Sequence, residues 1–461
     1  MATKTAPPGT RVTNRRVLLG SLSGSAIEWF DFFLYATAAA LIFDKQFFPT
    51  DDPALSLMLS YVTLSLTFFI RPFGGIVFSH IGDRIGRKKT LVITLSLMGG
   101  ATVAIGLLPT FEQVGVLAPI LLLLCRVIQG LAIGGEWGGA LLLAYEYAPK
   151  HRRGFFGSVP QTGITIGMLL STIAFALVSM LPVDAFDSWG WRIPFIASIV
   201  LVFVGLWIRK GLAETPAFQE AKDSGNVAKL PIAETLRDHW RSVLVAIGAK
   251  VVETAPFYIF ATFVVSYATG TLDFERSTVL NSVSAGAFVS TIAILLMGSL
   301  SDRFGRRRVF LAGAVLIGLF AAPFFLLLDL GMDWAVYAAV IIGLGIVWPP
   351  VTATLGTLMS EIFSTRVRYT GITLGYQIGA ALAGGTAPLL ATWLLVTFGG
   401  SWVPIAIYLI AVAIISIVAV TLSPRATRRE AQLLAARGLD DGSLVAAQPR
   451  ERAAAEGRDK A

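Results

Sequence analysis

The sequence predicts an all-α membrane protein of twelve transmembrane helices in two pseudo-symmetric six-helix bundles, on three observations. Hydrophobic residues make up 55% of the 461 and charged ones only 14%, with a mean hydropathy of +0.72. Soluble domains carry about 25% charged residues. Apolar runs of about 20 residues, the length that crosses a hydrocarbon core of roughly 30 Å, recur from end to end. A polar stretch, Gly82-Asp83-Arg84-Ile85-Gly86-Arg87-Lys88-Lys89, returns nearly half a chain later as Ser301-Asp302-Arg303-Phe304-Gly305-Arg306-Arg307-Arg308. Each copy follows the second apolar run of its half, so the chain reads as a duplicated unit.

Residues 1–16 form a polar N-terminal arm with Lys4, Arg11, Arg15 and Arg16. The first bundle, 17–211, holds apolar runs at 17–43, 54–79, 89–109, 116–147, 155–180 and 192–211. The first run contains Glu28 and Asp31 and lacks a small-residue cleavage site, so it reads as a retained helix and not a signal peptide. Gly130, Gly134, Gly135, Gly138 and Gly139 thin the fourth for close helix contact. A polar linker at 212–241 precedes the second bundle, 242–424, with runs at 242–269, 278–300, 309–328, 333–359, 370–397 and 402–422. The tail, 425–461, is rich in Ala, Arg and Glu and is expected to form at most a short surface helix near 427–437.

Loop charges set the threading. One side collects the basic residues of both repeated loops, Lys150/Arg152/Arg153, Arg209/Lys210, Arg366/Arg368 and Arg425/Arg428/Arg429. The other holds Asp44, Asp51, Asp52, Glu112, Asp184, Asp187, Asp273, Glu275, Asp329 and Asp333, with Lys45 and Arg276 as its few cations. The positive-inside rule then puts both termini in the cytoplasm of a cell whose inner membrane the chain spans.

The net charge of +8 lies in these alternate loops, which argues against a nucleic-acid partner. A single cysteine, Cys125, excludes an internal disulfide. No Walker-type loop, nucleophile elbow or zinc motif occurs, so neither ATP-driven nor enzymatic chemistry is expected, and no cofactor or metal. His80, His151 and His239 fall at cytoplasmic edges and read as solvated.

The doubled Gly-x-x-x-Asp-Arg-x-Gly-Arg loop resembles the signature of the major facilitator superfamily, with Ser79 where the first copy departs and Gly298 where the second conforms. Ile27-Glu28-Trp29-Phe30-Asp31-Phe32, Ile70-Arg71-Pro72-Phe73-Gly74-Gly75, Arg126-Val127-Ile128-Gln129-Gly130, Gly134-Gly135-Glu136-Trp137, Trp189-Gly190-Trp191-Arg192-Ile193-Pro194 and Glu214-Thr215-Pro216 narrow the resemblance to the metabolite:proton symporter family. It covers nearly all of 17–423. It implies a monomeric secondary transporter driven by the proton gradient, importing a small organic acid by alternating access of two bundles. A zwitterion of the betaine or proline type, or uncoupled uniport, are the alternatives.

Charges inside spans are the informative residues, because each is costly in hydrocarbon. Glu28 and Asp31 share a face near mid-membrane, and Asp31, then Glu28, is expected to take the coupling proton. Arg126 reaches a similar depth and is expected to bind a substrate carboxylate in the two-pronged way a guanidinium allows, aided by Lys250. Gln129, Gln161, Thr162, Tyr258, Trp348, Tyr376 and Gln377 are expected near the cavity. Arg71 and Glu136 are expected to pair within one bundle nearer the cytoplasm, and Glu253 to pair with Lys250. The resemblance also implies a cytoplasmic gate built from Asp83, Arg84, Arg87 and Glu146 in one half and Asp302, Arg303, Arg306 and Glu361 in the other. By position, Asp83 and Asp302 are each expected to cap a helix N-terminus.

Overall fold

The computed structural model describes residues 14–85, 87–134, 148–210, 232–363 and 368–436, and among these there is no strand. The first half contains α1 (Asn14–Leu41), α2 (Pro53–Ile85), α3 (Arg87–Leu107), α4 (Leu117–Gly134), α5 (Arg153–Val178) and α6 (Arg192–Lys210). The second contains α7 (Trp240–Gly270), α8 (Arg276–Phe304), α9 (Arg306–Leu328), α10 (Asp333–Ile362), α11 (Thr370–Thr397) and α12 (Val403–Ala436). Helices are what lipid demands, since no water is there to satisfy exposed backbone. Nine of the described helices are each long and apolar enough to cross a bilayer. α6 joins them when taken with Val183–Gly190, from which it bends by 46°.

Within the first half α1 packs on α5, α2 on α4 and α3 on α6; within the second, α7 packs on α11 and α12, α8 on α10, and α9 on α10 and α12. The halves meet where α5 lies along α8 and α2 along α11. Small residues permit these approaches. A Cβ on Gly134 would lie 1.9 Å from the Arg71 carbonyl oxygen, so α2 and α4 touch backbone to backbone. Across the halves a Cβ on Gly154 would lie 2.3 Å from the Ser301 hydroxyl. Gly305, inside the second repeated loop, has φ +90°, a conformation that explains a glycine between α8 and α9.

Three helices of the second half carry π-helical turns: Ile259–Phe263 in α7, Ile341–Val347 in α10 and Ala381–Gly385 in α11. Such turns widen the helix and redirect the faces on either side. At the end carrying the acidic loops, Arg192 donates to the carbonyls of Gly106 (3.1 Å) and Leu108 (2.5 Å), closing the C-terminus of α3.

Two expectations are corrected. No separate tail helix forms near 427–437: α12 runs unbroken through Pro424 to Ala436, because its Ala-rich continuation keeps helix propensity once the span has nucleated it. His239 is not solvated but 1% exposed, at the residue that precedes α7. It follows directly on the short helix Ile232–Asp238.

Candidate functional site

Every third or fourth residue of α2 from Tyr61 to Arg71 is buried, a stripe that the sequence pattern places on one face. Tyr61 meets the Ser266 hydroxyl of α7 at 2.9 Å, Ser65 donates to the Gly385 carbonyl of α11, and Phe68 lies against Gly384 and Gly385. The stripe therefore faces the second half, and its next member is Arg71. The Arg71 guanidinium stacks 4.2 Å from the Phe68 ring, 4.8 Å from Phe32 and 6.0 Å from Trp29.

The opposing wall comes from α7. Lys250 and Glu253, three apart, share a face and form an ion pair, and the Lys250 ammonium lies 3.7 Å over the Tyr376 ring. Glu253 also accepts from Thr254 at 2.9 Å and from Thr352 at 3.1 Å, and its carbonyl accepts from the Trp348 indole at 2.6 Å. Between the walls lies a cavity of about 280 Å³, its open edge included, lined by Trp29, Phe68 and Arg71 from the first half and by Lys250, Glu253, Tyr258, Trp348 and Tyr376 from the second. Tyr258 brings a hydroxyl without a partner, and Glu28, itself buried, acts electrostatically on Arg71 and Tyr376. Gln161 bridges the halves by donating to the Thr352 carbonyl at 3.2 Å, and Gln377 is buried nearby in sequence to Tyr376 with its side-chain oxygen unpartnered.

Arg126 occupies a second polar cluster, inside the first half. It is 0% exposed, donates to Gln129 at 2.6 Å, reaches the Thr63 carbonyl at 3.5 Å, and lies 3.6 Å over the Tyr35 ring. Gln129 passes the chain on to the Thr102 hydroxyl at 2.8 Å, which donates to the Met98 carbonyl at 3.0 Å. Asp31 turns toward Thr102, whose single proton is thus engaged, and neither carboxyl oxygen has a hydrogen-bond partner. Arg126 and Gln129 thus belong to a different cluster from the residues lining the cavity, and Asp31 and Arg126 form no direct pair. Glu136, the expected partner of Arg71, lies outside the described residues, and Arg71 stands on the cavity wall. The reason is azimuth: depth along a helix says nothing of rotation, whereas the Tyr61–Ser65–Phe68–Arg71 stripe, legible in the sequence, does. Trp29, Phe68, Thr254 and Phe257 also line the cavity and were missed because apolar spans are full of such residues.

At the end carrying the basic loops, Asp302 reaches across the halves. Its two carboxyl oxygens accept from the backbone N–H groups of Gly154 (2.8 Å) and Phe155 (3.0 Å), the first turn of α5. Arg306 holds both Asp302 (3.1 Å) and Glu361 (3.0 Å), while Arg303 is exposed. The side chains of Asp83, Arg84 and Arg87, and the whole of Glu136 and Glu146, lie outside the described residues. At the opposite end the Arg276 guanidinium of the second half sits 4.5 Å over the Phe186 ring of the first, and Lys45 is 3.8 Å from Asp187.

Asp44 lies in that acidic cluster. Burial, opposed by the N–H and charge of Lys45 and aided by Asp187, holds its carboxyl above the ordinary carboxylate value. The fold thus prefers the neutral acid, so Asp44 supports stability below the ordinary carboxylate range and that support is lost as pH rises through its raised value. Asp44→Asn is expected to melt about 1–2 °C higher than wild type at pH 7 in detergent, the gap closing near pH 4. A gap that widened on acidification would refute this.

Residues 21–384 match the family described as Major Facilitator Superfamily. The chain is 40% identical over 406 residues to the shikimate transporter of Escherichia coli K12, covering 87% of this chain and 92% of that one. It is 34% identical over 425 residues to the proline/betaine transporter of the same organism, covering 90% and 84%. Its fold matches the crystal structure of a D-xylose-proton symporter with a TM-score of 0.65 at 17% identity, over 89% of this chain and 97% of that one. The chain belongs to the Major Facilitator Superfamily and is an integral membrane transporter, not an enzyme.

Proposed function

We propose that this transporter is a proton-coupled symporter that imports a small organic acid across a bacterial inner membrane, with both termini cytoplasmic. The observation that carries the reading is the buried cavity between the halves, with cationic Arg71 and Lys250 on facing walls and the buried carboxyls Glu28 and Asp31 on the adjoining α1. The similarity to a shikimate transporter and to a proton-coupled sugar carrier supports it. Asp31 is the first proton carrier: it is buried, no donor among the described residues bonds either carboxyl oxygen, and burying an unpaired carboxylate is costly, so its charge comes and goes with the movement of the halves. Arg126, in the adjoining cluster of the same half, is the cation it meets in the other state. Glu28 is the second, since an ionised Glu28 competes with the acid for Arg71.

A zwitterion such as betaine is the second reading, favoured by the aromatic faces of Trp29, Trp348 and Tyr376 and by the proline/betaine relative. Against it, both oxygens of Glu253 are already satisfied by Lys250, Thr254 and Thr352.

The test is uptake of labelled shikimate into proteoliposomes under an inward proton gradient. Asp31→Asn is expected to lose gradient-driven accumulation by at least about tenfold, as loss of an essential proton site entails, while exchange of shikimate across the membrane persists. Accumulation that keeps its full dependence on the gradient in Asp31→Asn sinks proton coupling at this residue.

A further inference from the structure

Resting on the organic-acid reading, we infer that Arg71 is the group that grips the substrate carboxylate, and that the site selects a single carboxylate on a flat or ring-shaped skeleton. Three observations converge on this. Arg71 is 3% exposed, lines the cavity, and among the described residues forms no ion pair, with its Nε lacking any partner. A buried guanidinium with an unused donor is an incomplete site for an anion, and its fork matches a carboxylate.

The second observation is the charge balance of the walls. Lys250 and Glu253 neutralise each other, and Glu253 also accepts from Thr352, while Thr254 shares its one proton between Glu253 and the Lys250 carbonyl. That leaves Arg71 as the one wall cation facing the ligand without a partner among the described residues, so one carboxylate balances it. Glu28 is the carboxyl that acts electrostatically on Arg71, alongside the hydroxyls of Tyr258 and Tyr376, and its protonation with substrate removes the competitor. A dicarboxylate would bring a second charge into a buried site with no unpaired wall cation left among the described residues, which is heavily disfavoured.

The third is shape. The cavity is narrow and lined mainly by rings. Its walls present the rings of Trp29 and Phe68 on one side and Trp348 and Tyr376 on the other, with Phe257 4.7 Å from Trp348. Opposed rings accept a flat skeleton by stacking, and the unpartnered Tyr258 hydroxyl is placed for a ring hydroxyl.

Trp29 and Trp348 make binding visible as quenching of intrinsic fluorescence in the purified full chain. The probes are shikimate, quinate and 4-hydroxybenzoate, the amide of whichever binds most tightly, succinate and glycine betaine. In wild type the ring acid is expected to bind at least about 30-fold more tightly than its amide, and more tightly than succinate, as a charge-assisted pair demands. In Arg71→Gln the acid and amide are expected to converge to within about threefold, at a melting temperature near that of wild type. Should Arg71→Gln not fold, Arg71→Lys carries the test: it keeps the charge but not the fork, and the ratio is expected to fall to below about tenfold. A ratio that survives either substitution overturns the role of Arg71 while organic-acid symport stands. Tighter binding of succinate overturns the single-carboxylate selection, also without touching symport. A wild type that binds betaine and no ring acid overturns the organic-acid reading itself, and this inference with it.

Discussion

Glu253→Ala is expected to destabilise the protein by about 3–5 kcal/mol, the cost of stranding a buried charge. The Lys250 ammonium sits in the interior of α7 with Glu253 as its ion-pair partner. Removing the carboxylate leaves it facing the π surface of Tyr376 at 3.7 Å, worth at most about 2 kcal/mol, and frees the hydroxyls of Thr254 and Thr352 that Glu253 accepts from. Removing both charges together is a different matter: Lys250→Met with Glu253→Leu replaces an ion pair by apolar groups of similar volume, and such exchanges are often neutral or stabilising. The double variant is therefore expected to melt within a few degrees of wild type while Glu253→Ala melts far below it. Thermal unfolding in detergent reads both, and equal losses in the single and double variants would mean that packing volume, not charge pairing, holds this wall.

The second large effect lies at the end carrying the basic loops. Asp302→Ala is expected to shift the balance between closed and open arrangements of that end by roughly 30- to 150-fold, equivalent to about 2–3 kcal/mol. Asp302 accepts two N–H groups from the first turn of α5, a position where a negative charge also meets the positive end of the helix. Those bonds cross from one half to the other, so they exist only while this end is closed. The Arg306 bonds to Asp302 and Glu361 stay within the second half and orient the carboxylate. Ser158 supplies the reporter, since it is buried in the same seam with its side chain against Gly298. In a Cys125→Ala background, Ser158→Cys is expected to react with an impermeant maleimide about 30-fold faster or more when Asp302→Ala is added. An unchanged rate in a folded variant would deny Asp302 its part in closure.

Much of the architecture was readable before any coordinates. Where both ends are described, apolar runs located the helices to within a few residues, except where α2 and α12 continue past their spans. The repeated loop announced the duplication and marked Asp302 as a helix cap, although which helix it caps lies in the other half and cannot be read along the chain. Lys250 and Glu253 were legible as a pair, because three residues on one helix fix their mutual position. Arg71 and Arg126 show the limit. Both are mid-span guanidiniums, and a depth count favours Arg126 as the residue at the centre. Tyr35, Thr63 and Gln129 hold Arg126 inside the first half, while α2 rolls Arg71 onto the seam between halves.

By itself the sequence determined what is periodic or additive: helix count, lipid exposure, loop charge and the duplication all follow from hydropathy and spacing within single segments. Tertiary structure alone decided which charged side chains share the cavity. That choice depends on the rotation of each helix about its own axis, which neighbours set by packing, and in α7, α10 and α11 on π turns that redirect the faces beyond them. Neither quantity is local, so no reading along one helix contains it.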